Sequence, residues 1–560
     1  MFQNLITLRF QFCVGCGKPV LAFIEEAAIM IDKTMTRRQF NKLLMAGAIV
    51  SAEGLLNSSL ATTSFAKTGD MTCFESYSAT SLVKAIKNKK TSATELLKYF
   101  MDRHKRLDKK INAVVTTDFE GALKRAQKAD EALSRGETWG PLHGLPMTIK
   151  DNIEVVGMPT TYGSPMFRGY IPQKNADVVQ SLLDAGAIIF GKTNLPLFGM
   201  DTQSFNDVYG QTNNPWDVSK TPGGSSGGAA AALAAGLTGL EIGNDIGGSI
   251  RLPAHFCGIY GHKPSYKIVS NHGGEKPWKT NHSNYPVDLD LAVSGPLARS
   301  AEDLKLAMDV IVAPPSYQRK AIKIKLPDSR KLKLKEFRVG LWIDDSLYPP
   351  DNDVGNCLQI MVEKLTKAGV NLKDIKPDID LKQSHWLRGD LETSTLSHLQ
   401  PPGYYEWAVS QVKTLKDDDQ SGTARWVRAM TGYHRDWNKL NEERAIMRQK
   451  WEDYFQDIDV LLCPVARIAA HNHDHTKIGS RTIQFDNETL NYWDVVGPWN
   501  SLSLVSYLPS TVAPIGFTPS GLPVGVQIIG PYLEDYTSIQ FAKLLERMNG
   551  SYKPPKGFEF

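Results

Sequence analysis

The stretch that most restricts the fold lies between residues 223 and 251, GGSSGGAAAALAAGLTGLEIGNDIGGSIR. It contains Gly-Gly-Ser twice, with Ser225 and Ser249 set 24 residues apart, and an alanine-rich run from Ala229 to Ala235 between them. Glycine supplies a bend and alanine favours helix, so the order reads as a bend, a helix and then a strand over LTGLEIG. A helix of alanine and glycine carries no bulky side chains. It can therefore approach a sheet closely and hold the two serine-bearing bends in fixed relation.

The same rhythm precedes it. HGLPMTIKDNI is a short apolar run that ends at Lys150 and Asp151, as a buried strand emerging at a sheet edge does. DVVQSLLDAGAIIFGKTNL follows as a helix, a break at Gly186 and a second strand. Residues 78 to 136 repeat apolar positions at three and four, with Thr91 as a helix-capping candidate before SATELL. After residue 460, IDVLLCP, SLVSYLPSTVAPIGF and LPVGVQIIG return as short β-like runs before a closing helix, SIQFAKLLERM. The expected fold class is α/β, a central mixed sheet flanked by helices. A signature core spans about 140–265, and a lysine-rich, then helical and aromatic insert spans about 315–460. The aromatics of the insert are expected to be mostly core packing, with a few walling a substrate pocket.

Charge excludes little. The 64 basic and 60 acidic residues leave a net charge of +4, so no field marks a nucleic-acid or membrane-surface partner. Six cysteines are too few and too scattered for a disulfide scaffold, and the lone pair Cys13 and Cys16 lacks the second pair of a zinc ribbon. From Met35 the chain reads MTRRQFNKLLMAGAIVSA, which resembles a twin-arginine export signal. Its apolar run is about half of the roughly 20 residues that a membrane span needs, so no stable insertion is expected. The expectation is that residues 1–34 lie upstream of the natural start, 35–66 form the signal, and 67–560 form an exported, periplasmic enzyme. Without export it would be cytoplasmic.

The two bends carry the chemistry. A glycine-rich bend strips side chains from the backbone and presents amide N–H groups, which is what a developing oxyanion needs. In NDIGGSIR the amides of Ile246, Gly247, Gly248 and Ser249 can converge on one oxygen while the Ser249 hydroxyl attacks. A serine hydroxyl is a poor nucleophile at neutral pH and needs a base. Lysine can serve if held neutral, which from a reference value near 10.4 asks for a drop of about 3 units, on the order of 4 to 5 kcal/mol. Lys150, ending an apolar strand, is the candidate, with Ser225 relaying the proton to it from Ser249.

At these residues the chain resembles the amidase signature family of serine hydrolases. GLPMTIKDN, GGSSGG and GNDIGGSIRLPAHFCGIYGHKPS, in that order, carry the likeness, with DAGAIIFGKTNLPLFG, VSGPLARSAEDL, DVLLCP and LPVGVQIIGP around them. The resemblance implies a Ser-Ser-Lys triad of Lys150 as base, Ser225 as bridge and Ser249 as nucleophile, and a cis peptide bond entering Ser225. It implies hydrolysis of a small-molecule carboxylic amide to an acid and an amine or ammonia through an acyl-enzyme, without a cofactor. Ser226, Asp245 and Arg251 are expected as supporting partners. Asn244 stands where many relatives have threonine.

Other readings compete. GGSSG matches the Gly-x-Ser-x-Gly elbow of α/β-hydrolases with Ser225 as nucleophile, but leaves the second bend unexplained. HNHDH sets His471, His473 and His475 at alternate positions, so an extended strand would gather them into a metal site for a metal-dependent amide hydrolase. One component of the tRNA-dependent amidotransferase has the same signature and works with partner proteins, which is the third alternative. Acyl and amine specificity and oligomeric state are not legible.

Overall fold

The computed structural model describes residue 74 and residues 77–274, 288–400, 403–486 and 488–559. The expected upstream extension, the export signal and the pair Cys13 and Cys16 lie outside the described residues. Cys257, Cys357 and Cys463 are free, buried thiols.

Eleven strands form the central sheet: β1 (Val114–Thr117), β2 (Pro146–Lys150), β3 (Ile188–Thr193), β4 (Glu241–Asp245), β5 (Tyr260–Lys263), β6 (Val293–Ala298), β7 (Arg338–Leu341), β8 (Asn371–Lys373), β9 (Val460–Pro464), β10 (Ser510–Phe517) and β11 (Pro523–Ile529). Their spatial order is β1-β3-β2-β4-β6-β5-β10-β11-β9-β7-β8. The β3-β2-β4 and β9-β7-β8 segments are parallel. The remaining neighbours run antiparallel, so the sheet is mixed as expected. Every residue of β2, β3 and β11 is buried, because helices cover both faces. This is why these strands read in sequence as unbroken apolar runs rather than alternations.

The strands after residue 460 complete the sheet begun before residue 265. The join is β5 against β10, where Lys263 faces Ser510 and Gly261 faces Val512. The stretch expected as a helical insert supplies helices Leu381–Leu396, Tyr404–Val412, Gly422–Thr431 and His434–Asp457, but also β7 and β8 at the sheet edge. These two strands are four and three residues long, too short to show a period among their lysine-rich neighbours. The capping expectation shifts by one residue. Ser92, not Thr91, caps Ala93–Leu107, its hydroxyl accepting from Glu95 N while the Glu95 carboxylate accepts from Ser92 N at 2.9 Å.

The alanine helix, Gly227–Ala234, is buried along its whole length. A Cβ on Gly228 would come within 2.4 Å of Asn194 N, so only glycine lets the helix settle onto the chain leaving β3. None of the described helices is long and apolar enough to cross a membrane.

Candidate active site

β2 and β4 are parallel neighbours, with Thr148 opposite Glu241 and Ile149 opposite Ile242. That register brings Lys150, the last residue of β2, beside Asn244 near the end of β4. The first bend arrives from the other side. The peptide bond between Gly224 and Ser225 is cis. A Cβ on Gly224 would stand 2.6 Å from Gln203 N, so the bend has no room for any larger residue. Lys150 Nζ donates to Ser225 Oγ at 2.6 Å and to Asn244 Oδ1 at 2.6 Å. Lys150 is fully buried, Ser225 is 2% exposed and Ser249 is 6% exposed.

The two bends are bonded to each other. Ser226 N–H donates to the Ser249 carbonyl at 3.1 Å, and Ser226 Oγ donates to the Asn244 carbonyl at 3.3 Å. Ser226 is thus the staple between β4 and both bends. Asp245 and Arg251 brace the second bend from beneath. Arg251 Nη2 donates to Asp245 Oδ1 at 2.9 Å and Nε to Oδ2 at 3.0 Å, while Nη1 reaches Asn500 O, Ser503 Oγ and Gln527 Oε1. The same carboxylate accepts from Gly248 N at 2.9 Å and Ile250 N at 3.1 Å. This corrects one member of the expected oxyanion set. The Gly248 amide is turned inward to Asp245, which leaves Ile246, Gly247 and Ser249.

Electrostatics follow from burial. Desolvation brings the Lys150 ammonium down from its ordinary value of 10.5 to about 7, against the opposing pull of Asp245 and Glu241. Both nearby carboxyls are restrained. Burial would raise Asp245, but the Arg251 guanidinium and its hydrogen bonds hold it at about 2, so its charge is already matched. Burial pushes Glu241 up to about 8, against the opposing effect of Thr148, Thr193, the Ile242 amide and Lys192. Desolvation outweighs the pull of both carboxyls, so Lys150 sits where a proton-transfer group is useful. Lys192, also fully buried, lies 3.8 Å from Asp151 Oδ1, and Thr161 donates to Asp151 Oδ2 through both N and Oγ1. Sequence reading singled out neither Lys192 nor the contact of Asn244 with Lys150.

Ser225, Ser249, Ile246 and Gly247 lie on the wall of a cleft of about 2030 Å³. Trp386, Tyr404, Trp407 and Trp426 line its outer part, whereas Trp451 is fully buried in the core. The expectation of mostly core packing does not hold for this stretch: Tyr404, Tyr405, Trp407 and Tyr433 are about half exposed or more, and the part that walls the cleft is larger than expected. The histidine triplet does not gather. His471 Nδ1 is 2.8 Å from the Asn472 carbonyl, His475 stacks on Phe205 at 4.0 Å, and the His473 and His475 rings stand 6.2 Å apart edge to face. Among the described residues no group of three His, Cys, Asp or Glu side chains could hold a metal. The extended strand that such a metal site would need is absent, and the stretch is a polar loop in which Asn472 alone bridges, to Lys220.

A family model described as Amidase matches residues 95–539. A glutamyl-tRNA(Gln) amidotransferase subunit from Methanosarcina acetivorans is 32% identical over 494 residues, covering 84% of this chain and 97% of its own. Its namesake from Thermoanaerobacter pseudethanolicus is 31% identical over 499 residues, covering 85% and 97%. A crystal structure of an amidase aligns with a TM-score of 0.69 at 25% identity, covering 85% of this chain and 100% of the other. Because the matched span runs through β2 and both serine bends, the chain belongs to the amidase signature family of hydrolases acting on C–N bonds.

Proposed function

We propose that the chain hydrolyses a carboxylic amide to the acid and an amine or ammonia through an acyl-enzyme on Ser249. One observation carries the reading: a fully buried lysine amine, held near neutrality at about 7, lies 2.6 Å from the hydroxyl of Ser225. In the first step Lys150 takes the Ser225 proton, Ser225 takes the Ser249 proton, and Ser249 Oγ attacks the carbonyl carbon. The carbonyl oxygen becomes an alkoxide at the amides of Ile246, Gly247 and Ser249. As it collapses, the C–N bond breaks and the proton returns through Ser225 to the departing nitrogen. Water then repeats the sequence at the acyl carbon, its proton passing to Ser225 and Lys150, and the acid leaves Ser249.

Asn244 fits this scheme. A carboxamide oxygen only accepts, so it engages one Lys150 N–H and leaves the lone pair of a neutral amine for Ser225.

A second reading rests on the names of the amidotransferase components that the chain resembles. On it, the ammonia released at Ser249 is passed to a partner protein. Purified protein assayed on an amide panel separates the two, alongside Ser249→Ala, Ser225→Ala and Lys150→Ala. The expected result is turnover by the isolated chain and loss of at least about 10³-fold in Ser249→Ala with the fold intact. Turnover that survives in Ser249→Ala while Ser225→Ala is dead would make Ser225 the nucleophile.

A further inference from the structure

We propose that Arg388 and Glu392 form a recognition pair beside Ser249 that selects amides carrying a protonated amine next to the scissile carbonyl, as amino-acid amides do. The inference rests on the hydrolytic reading and names its substrate class.

Both residues sit on helix Leu381–Leu396, one turn apart, so they share a face. Leu387 and Leu391 bury the adjoining face in the cluster that holds Trp499 and Leu502 of helix Pro498–Val505. Ser501 Oγ donates to Ser384 Oγ at 3.1 Å across the two helices. The second helix also abuts the serine bend, since a Cβ on Gly248 would lie 2.9 Å from Asn500 Cγ. One helix therefore fixes the distance between the bend and the pair.

The pair faces the bend directly. A Cβ built on Gly247 would lie 3.4 Å from Glu392 Oε1 and 3.7 Å from Arg388 Nη1. The space over Gly247 is thus bounded by charged atoms, and Gly247 supplies one of the amides proposed for the oxyanion. Arg388 Nη1 donates to Glu392 Oε2, but Arg388 Nε is buried without a partner. The Arg388 and Glu392 side chains are 8% and 19% exposed, and both line the cleft.

An alkyl group placed in that space would strip water from the pair and return nothing, which is a cost for buried charge. An ammonium gives Glu392 Oε1 a charge-assisted partner, and a neighbouring substrate oxygen gives one to Arg388 Nε–H. The bulk of a larger substrate then extends along the tryptophans of the outer cleft.

Alaninamide and propionamide differ by that one amine, so the test is the ratio of their kcat/KM values at pH 7, where an α-amine of pKa about 8 is largely protonated. The amine also activates the carbonyl chemically, so the readout is the change in the ratio between proteins. Glu392→Gln is expected to lower the ratio about tenfold or more, and Glu392→Asp to keep part of it. An unchanged ratio in Glu392→Gln overturns the proposal. So does wild-type protein that hydrolyses propionamide but not alaninamide, or that rejects both while hydrolysing a longer neutral amide. Acyl-enzyme on Ser249, followed by mass, keeps the two readings apart: its absence with every hydrolysed amide sinks the hydrolytic mechanism itself.

Discussion

Asn244→Asp puts a carboxylate where the carboxamide oxygen now stands, 2.6 Å from Lys150 Nζ. In the native site burial, opposed by the pull of Asp245 and Glu241, sets the Lys150 ammonium at about 7. Two opposite charges 4 Å apart attract by about 4 kcal/mol at an effective dielectric of about 20, which is about 3 pKa units. Opposite charges at such range shift measured values by about 1 to 3 units, so Lys150 is expected to rise to about 9. The base acts when deprotonated. The acid limb of kcat/KM, near pH 7 in the native protein, should move to about pH 9, with a loss on the order of 50-fold at pH 7 that is recovered by pH 10. Asn244→Leu removes an acceptor without adding charge, so it should move the limb below 7 instead. Opposite displacements in the two variants separate electrostatics from shape. An Asn244→Asp protein whose limb stays near pH 7, with activity low at every pH, would show that Lys150 is not the titrating base.

Two further outcomes follow from the buried charges. Lys150 is depressed on folding, so the unfolded chain holds the extra proton between about pH 7 and 10.5, and native stability falls as pH drops through that window. Lys150→Met escapes this cost; after the unpaired Ser225 and Asn244 groups are charged against it, it should be inactive yet about 2 kcal/mol more stable than the native chain at pH 7. Denaturant titrations at pH 7 and pH 10 check it, and an advantage that does not shrink by pH 10 refutes it. Asp245→Asn leaves the fully buried Arg251 guanidinium uncompensated and should cost about 3 to 5 kcal/mol in the same titrations. Because Asp245 is held at about 2, its contribution is present above about pH 4 and lost as pH falls through 2, so the native-minus-variant difference should narrow on acidification.

What the sequence disclosed depended on the range of the cause. The serine bends were legible because their requirements are local. A Cβ cannot fit at Gly224, and Gly228 must let a helix lie on the backbone of Asn194, so glycine appears in the sequence wherever the geometry demands it. β2 and β3 were legible because strands covered on both faces lose their alternation. β7 and β8 were not, since strands of four and three residues carry too few side chains to show a period. The diversion of the Gly248 amide had a signal that could have been read. Asp245 stands three residues before Gly248 and six before Arg251, close enough for one carboxylate to take both.

The contact of Asn244 with Lys150 is of another kind. The two residues are 94 positions apart, and the pairing of β2 with β4 brings them together. Nothing in the local pattern fixes which strands become neighbours. Arg388 and Glu392 make the point more sharply. On the sequence they are an ordinary i,i+4 pair on a polar helix, the arrangement that usually faces water and contributes a few tenths of a kcal/mol. Packing of Leu387 and Leu391 against helix Pro498–Val505 turns that face inward, and a pair of modest worth on a surface becomes a costly one beside Gly247. A charge pair held at such cost within reach of the reacting carbonyl is sustained by what binds there, which is why its removal should show in substrate preference before it shows in the fold.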